Sequence, residues 1–302
     1  MVNRKGASTH TTRFNLRGRP LVVGEVLFDV MPDGNRILGG APFNVAWHLQ
    51  AFGLKPLLIT RVGDDDAGDE VVAAMESWGM DCSGVQRDET LPTGRVEVEL
   101  HGGEPTFHIL PNQAWDRLDG HLAKRTAAGP DCSLMYHGSL IARDGTSRSA
   151  LEVLKEATAL PAIMDVNLRD PWWARGDVLD MIGGARWVKL NQDELAELAG
   201  AADLETAERF RVRHTLDAVI VTRGGRGAAV IEQERTREAA PPASIAVVDT
   251  VGAGDAFSAV YLLGLMKGWS TSATLERALE FAAAVCTRPG ATTTDRRLYS
   301  DF

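Results

Sequence analysis

The sequence predicts an α/β fold, a βαβ sandwich built on a mainly parallel sheet. Two observations carry that expectation. Short β-branched runs alternate with longer helical patterns along most of the 302 residues. Several of the runs are almost continuously apolar, as strands covered on both faces are. A third observation interrupts the rhythm: the stretch around residue 100 has the strict alternation of a two-stranded ribbon.

Taken in order, Leu21 to Val30, Pro56 to Val62, Ser133 to Gly138, Ala162 to Val166, Arg186 to Leu190 and Ala218 to Thr222 read as strands. Helices are expected over Pro42 to Phe52, Asp66 to Trp78, Ser147 to Ala157, Asp193 to Ala199, Leu204 to Thr215, Ala253 to Lys267 and Ser272 to Cys286. Pro42 suits an early helical position and Gly53 a helix end. In the ribbon, Val96, Val98 and Leu100 alternate with Arg95, Glu97 and Glu99, and His101-Gly102-Gly103-Glu104 turns the chain back into Pro105 to Leu110. Such a ribbon, inserted in an α/β chain, is expected to act as a lid or as a flap through which two copies pair. Met1 to Arg19 lacks both acidic residues and an apolar core, so it is expected to be a loose tail and not a secretory signal.

Composition narrows the function. With 44% apolar and 24% charged residues the chain is an ordinary globular one, and its formal charge of −9 argues against a nucleic-acid surface. No apolar run reaches the roughly 18 residues of a membrane span. Cys82, Cys132 and Cys286 are too few and too scattered for a disulfide framework or a zinc site, which fits a cytoplasmic protein.

The strongest chemical signal is Asp249-Thr250-Val251-Gly252-Ala253-Gly254-Asp255-Ala256-Phe257, ahead of a long helical pattern. Glycines at 252 and 254 let the backbone turn sharply and bring N–H groups close to a ligand. At a helix start those amides make an anion site. Asp255, in the first helical turn, is placed to accept a proton from an alcohol beside that anion. Taken alone, a glycine-rich turn with a capping Asp would look the same.

Other elements stand in a fixed order around it: Gly39-Gly40-Ala41-Pro42-Phe43-Asn44, Asp165-x-Asn167-x-Arg169, Lys189-x-Asn191-x-x-Glu194 and Thr222-x-Gly224-x-x-Gly227. Together, from about Leu21 to Ala291, the chain resembles the ribokinase-like sugar kinases of the pfkB family. The resemblance implies a three-layer α/β/α kinase domain over residues 20–302 with a mainly parallel central sheet. It also implies a small β-sheet lid inserted at about 31–39 and 92–112, a flexible tail at 1–19, and a homodimer formed through the lid. It implies an ATP-dependent phosphotransferase with Asp255 as general base and the amides of Gly252, Ala253 and Gly254 as anion hole. Asp29, Gly39, Gly40, Asn44 and Arg169 would bind the sugar. Lys189, Asn191, Glu194, Thr222, Gly224 and Gly227 would serve the nucleotide, Glu194 would reach Mg²⁺ through water, and Asp249 would lie near a monovalent cation, K⁺.

Gly24-Glu25-x-x-x-Asp29, Asn167-Leu168-Arg169 and Ala114-Trp115-Asp116 look most like fructokinases, so fructose is the expected acceptor. A kinase for 2-keto-3-deoxygluconate, ribose or a nucleoside, and a non-catalytic sugar-binding relative, stay open beside it. Two positions depart from the family pattern. Pro111 stands where fructose and sugar-acid kinases commonly carry an Arg, for which Arg95 is the available substitute, and Leu279 stands where an Asn or His often approaches the base. Trp172-Trp173 is the one aromatic pair that invites a role in sugar stacking, and His48 is expected to be packed.

Overall fold

A computed structural model describes residues 16–101, 104–233, 235–242 and 245–302. The expected tail up to residue 15 and the ribbon's turn glycines, Gly102 and Gly103, lie outside the described residues.

The main sheet has nine strands. Its parallel part runs β1 (Arg19–Val23), β4 (Leu57–Gly63), β5 (Val85–Asp88), β8 (Cys132–Gly138), β9 (Ala162–Asp165), β10 (Trp187–Asn191) and β11 (Ala218–Thr222). β12 (Ala228–Glu232) and β13 (Arg235–Ala239) close one edge antiparallel, giving the order β13-β12-β11-β10-β9-β8-β1-β4-β5. Alternate residues face opposite sides. Val22, Leu58, Leu134, Ile163 and Ile220 pack against α1 (Ala41–Ala51), α2 (Asp66–Trp78), α8 (Ala253–Lys267) and α9 (Thr271–Val285). Leu21, Ile59, Met135, Met164 and Val188 pack against α3 (Gly120–Ala127), α4 (Gly145–Thr158), α5 (Arg175–Gly183), α6 (Gln192–Ala199) and α7 (Leu204–Arg213). This is a three-layer α/β/α sandwich, and burial on both faces explains why its strands read as unbroken apolar runs.

The expected strand over 21–30 is two strands in two sheets. β1 begins at Arg19, inside the segment expected as tail, and stops at Val23. β2 (Leu27–Val30) belongs to a second sheet with the order β3-β2-β6-β7, where β3 is Arg36–Gly39, β6 Gly94–His101 and β7 Glu104–Ile109. The small sheet therefore starts earlier than residue 31. The break falls at Gly24, whose φ is +156°, and a Cβ there would lie 2.3 Å from the Pro42 ring. Only glycine lets β1 end hard against the start of α1 and release the chain into the second sheet. In that sheet Asp29, Ile37, Val96 and Ile109 stand opposite one another in register and so share a face.

Candidate active site

A cavity of about 800 Å³ opens at the carboxyl ends of β8 to β11, the usual ligand edge of an open α/β sheet, with the small sheet as its opposite wall. Leu27, Asp29, Val96, Phe107 and Ile109 line it from the small sheet, and Gly138, Asp165, Asn191 and Thr222 from the main one. α1 and α8 bring their first turns to the same space. Gly40, Ala41 and Asn44 enter from one helix, and Gly252, Gly254 and Asp255 from the other.

Gly252 caps α8 with φ +78°, and a Cβ there would meet the Ala291 Cβ at 2.3 Å, so no other residue fits without moving the chain. Asp255 lies one turn in and accepts a 2.8 Å hydrogen bond from Asn44 Nδ2, across 211 residues of sequence. Burial pushes its carboxyl up from 3.8 to about 7; Asp165 and Glu25 push the same way, against the Asn44 hydrogen bond and the Lys189 charge. A carboxyl poised there suits a general base working near neutral pH. Glu25 and Asp29 are likewise pushed up to about 6 by burial.

Beneath the α8 turn lies a buried hub. Lys189 Nζ donates to both oxygens of Asp165 at 2.7 and 2.9 Å, and Tyr136 and Ser258 hydroxyls donate to Oδ2 at 3.0 and 2.6 Å. A Cβ added to Gly254 would lie 3.5 Å from Nζ, so the ammonium supports the turn from below. At the end of β10, Asn191 caps α6, and Glu194 returns one oxygen to the Asn191 N–H at 2.7 Å and the other to the Leu168 N–H at 3.2 Å. Both Glu194 oxygens thus accept backbone N–H groups, which fixes the carboxylate at the cavity wall. Among the described residues no group of three or more His, Cys, Asp or Glu is arranged to hold a metal directly.

Of the residues singled out from sequence, Asp29, Gly40, Asn44, Arg169, Lys189, Asn191, Glu194, Thr222, Gly252, Gly254 and Asp255 meet in this one cavity. Ala253 does not line it: its N–H is turned to the Thr250 carbonyl at 3.2 Å. Gly39 sits just behind the wall between Asp29 and Asn44. Gly224 and Gly227 lie on the β11–β12 turn, and Asp249 uses its oxygens on the Val251 and Gly290 N–H groups, both at 2.9 Å. Arg95 pairs with Glu97 across from Phe28, outside the cavity wall, so it does not replace the arginine missing at Pro111. Trp172 and Trp173 line a separate, smaller cavity, and Trp172 Nε1 donates to the Ile109 carbonyl, which makes it an anchor for β7. Leu279 is core. Glu25, Thr250, Tyr136 and Ser258 were given no role from sequence; Glu25 and Thr250 stand inside quoted motifs, whereas Tyr136 and Ser258 carried no signal.

His48 is packed, as expected. Burial holds its imidazole at about 3, hence neutral. Nε2 faces the Ala291 carbonyl at 3.1 Å and must donate to it, so Nδ1 accepts from the Tyr299 hydroxyl at 3.0 Å. Trp47 Nε1 donates to Thr293 O at 3.0 Å, so α1 grips the segment that packs on Gly252. His48→Phe strands the Ala291 carbonyl, while the Tyr299 hydroxyl can still donate to the Thr293 carbonyl at 3.3 Å, and is expected to cost about 1–3 kcal/mol. Urea unfolding measures it, and an unshifted midpoint would contradict this account of the network.

Comparison with known proteins adds an independent line. The family model described as "pfkB family carbohydrate kinase" matches residues 27–297. A fructokinase from Klebsiella pneumoniae is 32% identical over 266 residues, covering 83% of this chain and 85% of that protein. Among solved structures, a double-mutant fructokinase from Vibrio cholerae O395 bound to fructose, ADP and a potassium ion superposes with TM-score 0.80 at 25% identity, over 95% of this chain and 98% of the other. An aminoimidazole riboside kinase from Salmonella enterica, complexed with aminoimidazole riboside and an ATP analogue, gives TM-score 0.77 at 25% identity, over 93% and 98%.

Proposed function

This chain belongs to the pfkB family of carbohydrate kinases, and on that premise we propose that it transfers the γ-phosphoryl group of ATP to a hydroxyl of a neutral hexose, fructose foremost. The observation that carries the proposal is the pairing of Asp255 with the glycine turn at 252–254 in a cavity that also holds Glu25, Asp29 and Asn44, the last hydrogen-bonded to Asp255.

In this reading the sugar lies under the small sheet and the nucleotide phosphates lie over the ends of β10 and β11, near Thr222, Asn191 and Glu194. The acceptor oxygen attacks the γ-phosphorus as its bond to the bridging oxygen of ADP breaks, and the hydroxyl proton passes to Asp255. Negative charge gathering on the transferred group meets the start of α8, with the Lys189 charge behind Gly254; preorganised donors of this kind contribute roughly 3 kcal/mol each to such a transition state. Mg²⁺ arriving with the nucleotide would neutralise phosphate charge, held off Glu194 by water. Asp249 ties Val251 to Gly290 through its carboxylate, and a potassium ion held near it would supply positive charge beside the start of α8, in line with the similarity to a potassium-bound fructokinase.

The neutral sugar is favoured because burial already pushes up three carboxyls around the sugar, Glu25, Asp29 and Asp255, and a fourth carboxylate brought by the substrate would add to their cost. A sugar acid is the second reading, and Arg169 favours it: exposed at the cavity wall, its guanidinium hydrogen-bonds the Leu168 carbonyl and lies close enough to lower Glu25. An ADP-release screen over hexoses, pentoses, sugar acids and nucleosides is expected to give fructose the highest kcat/KM. A clear preference for 2-keto-3-deoxygluconate or a riboside would overturn that choice. Ile37 and Phe107, each 46% exposed on the small sheet, favour pairing of two copies there. Among the described residues no helix is long and apolar enough to cross a membrane.

A further inference from the structure

We propose that Glu25 binds the acceptor sugar directly, its free carboxylate oxygen taking a hydroxyl hydrogen beside Asp29 and the Asn44 amide oxygen. The proposal deepens the sugar-kinase reading above and rests on it.

Glu25 sits where the chain crosses from the main sheet to the small one. Its backbone is clamped against the start of α1: a Cβ on Gly40, whose φ is +106°, would lie 2.8 Å from the Glu25 carbonyl oxygen. The residue is 2% exposed and lines the cavity. Oε1 accepts the Ala41 N–H at 3.3 Å, a helix-capping role that one oxygen fulfils. Oε2 is buried with no partner. Leaving a carboxylate oxygen so is costly, and a structural cap does not explain it, because a glutamine would cap as well.

No cation relieves it within hydrogen-bond distance. Arg143 spends Nε and Nη2 on Asp116 at 2.6 and 2.7 Å, with its guanidinium 3.8 Å from the Trp115 ring; its Nη1 is buried but hydrogen-bonds nothing, so Arg143 acts on Glu25 only through its field. Two further acceptors stand nearby in the same wall. Asn44 commits Nδ2 to Asp255, and its Oδ1 is buried without a partner. A Cβ on Gly39 would come within 3.8 Å of Asp29 Oδ2 and 3.9 Å of Asn44 Oδ1, so the missing side chain keeps the gap between them open. Glu25, Asp29 and Asn44 therefore present acceptors in search of donors, and a polyol presents a row of O–H donors.

The test is Glu25→Gln measured with the preferred sugar and its series of single-deoxy analogues, by turnover and by calorimetric sugar binding without nucleotide. The glutamine can still cap Ala41. For the parent sugar, affinity should fall about 10- to 100-fold, mostly as KM, with the KM for ATP unchanged. For the one analogue lacking the contacted hydroxyl, wild type and variant should bind within about twofold of each other. A uniform penalty over every analogue, or none on the parent sugar, overturns the role. Wild-type protein that binds sugars but never releases ADP would sink the kinase reading while the binding series still decides on Glu25.

Discussion

Asp255→Asn is expected to lower kcat at least about 100-fold, the usual scale for losing a general base, while sugar and ATP binding persist. The amide keeps the size of the carboxyl and an oxygen to accept from Asn44, so the cavity should hold its shape. What disappears is the proton acceptor. The pH dependence follows from the same group. Because Asp255 must be ionised to act and its carboxyl is pushed up to about 7, kcat/KM in the wild type should fall tenfold per unit below about pH 7 and flatten above it. Stability should run the other way. A carboxyl whose folded value exceeds its ordinary 3.8 keeps its proton longer when folded, so its contribution is full below about 4 and is lost as pH climbs through 7. Glu25 and Asp29, raised to about 6, act in the same sense. The asparagine variant should therefore lose less stability than wild type between pH 4 and 8. Near-normal turnover in that variant, or a rate profile flat from pH 5 to 8, would refute the assignment.

What could be seen in the sequence divides along a physical line. Central strands were legible because burial on both faces demands unbroken apolar runs, as in Ala218–Thr222. The same logic misled at 21–30: apolar residues resume at Val26 after Gly24 and Glu25, and nothing local reveals that Pro42 closes on that glycine and forces a change of sheet. α3 and α5 were missed because Gly120–Ala127 and Arg175–Gly183 are short and start on a glycine or beside one, and β12 and β13 because that hairpin lies at the sheet's edge. At the site, Gly252 and Asp255 stood out because a turn of that shape tolerates few residue types. Tyr136 and Ser258 did not. Each is an ordinary residue of an apolar strand or helix, and it acquires its part only by meeting Asp165, 29 residues away for one and 93 for the other.

That hub carries the second large effect. Lys189→Met is expected to lower the unfolding free energy by about 3–5 kcal/mol, the range for stripping the partner from a buried ion. Lys189 and Asp165 are 8% and 5% exposed, and the two hydroxyls that remain on Asp165 donate hydrogen bonds without supplying charge. If the loss comes from the stranded carboxylate and not from methionine packing, then Asp165→Asn in the Lys189→Met background should restore a good part of it, although Asp165→Asn alone strands the ammonium and destabilises. Urea denaturation of the four proteins completes the cycle. A double variant no more stable than Lys189→Met would locate the cost in packing and remove the ion pair from the account. Turnover adds a second axis. Because Lys189 stands behind the α8 turn, neutralising both partners should recover the fold but not the rate, since the positive charge facing the gathering negative charge stays absent. Recovery of both together would mean that the ammonium matters only as structure.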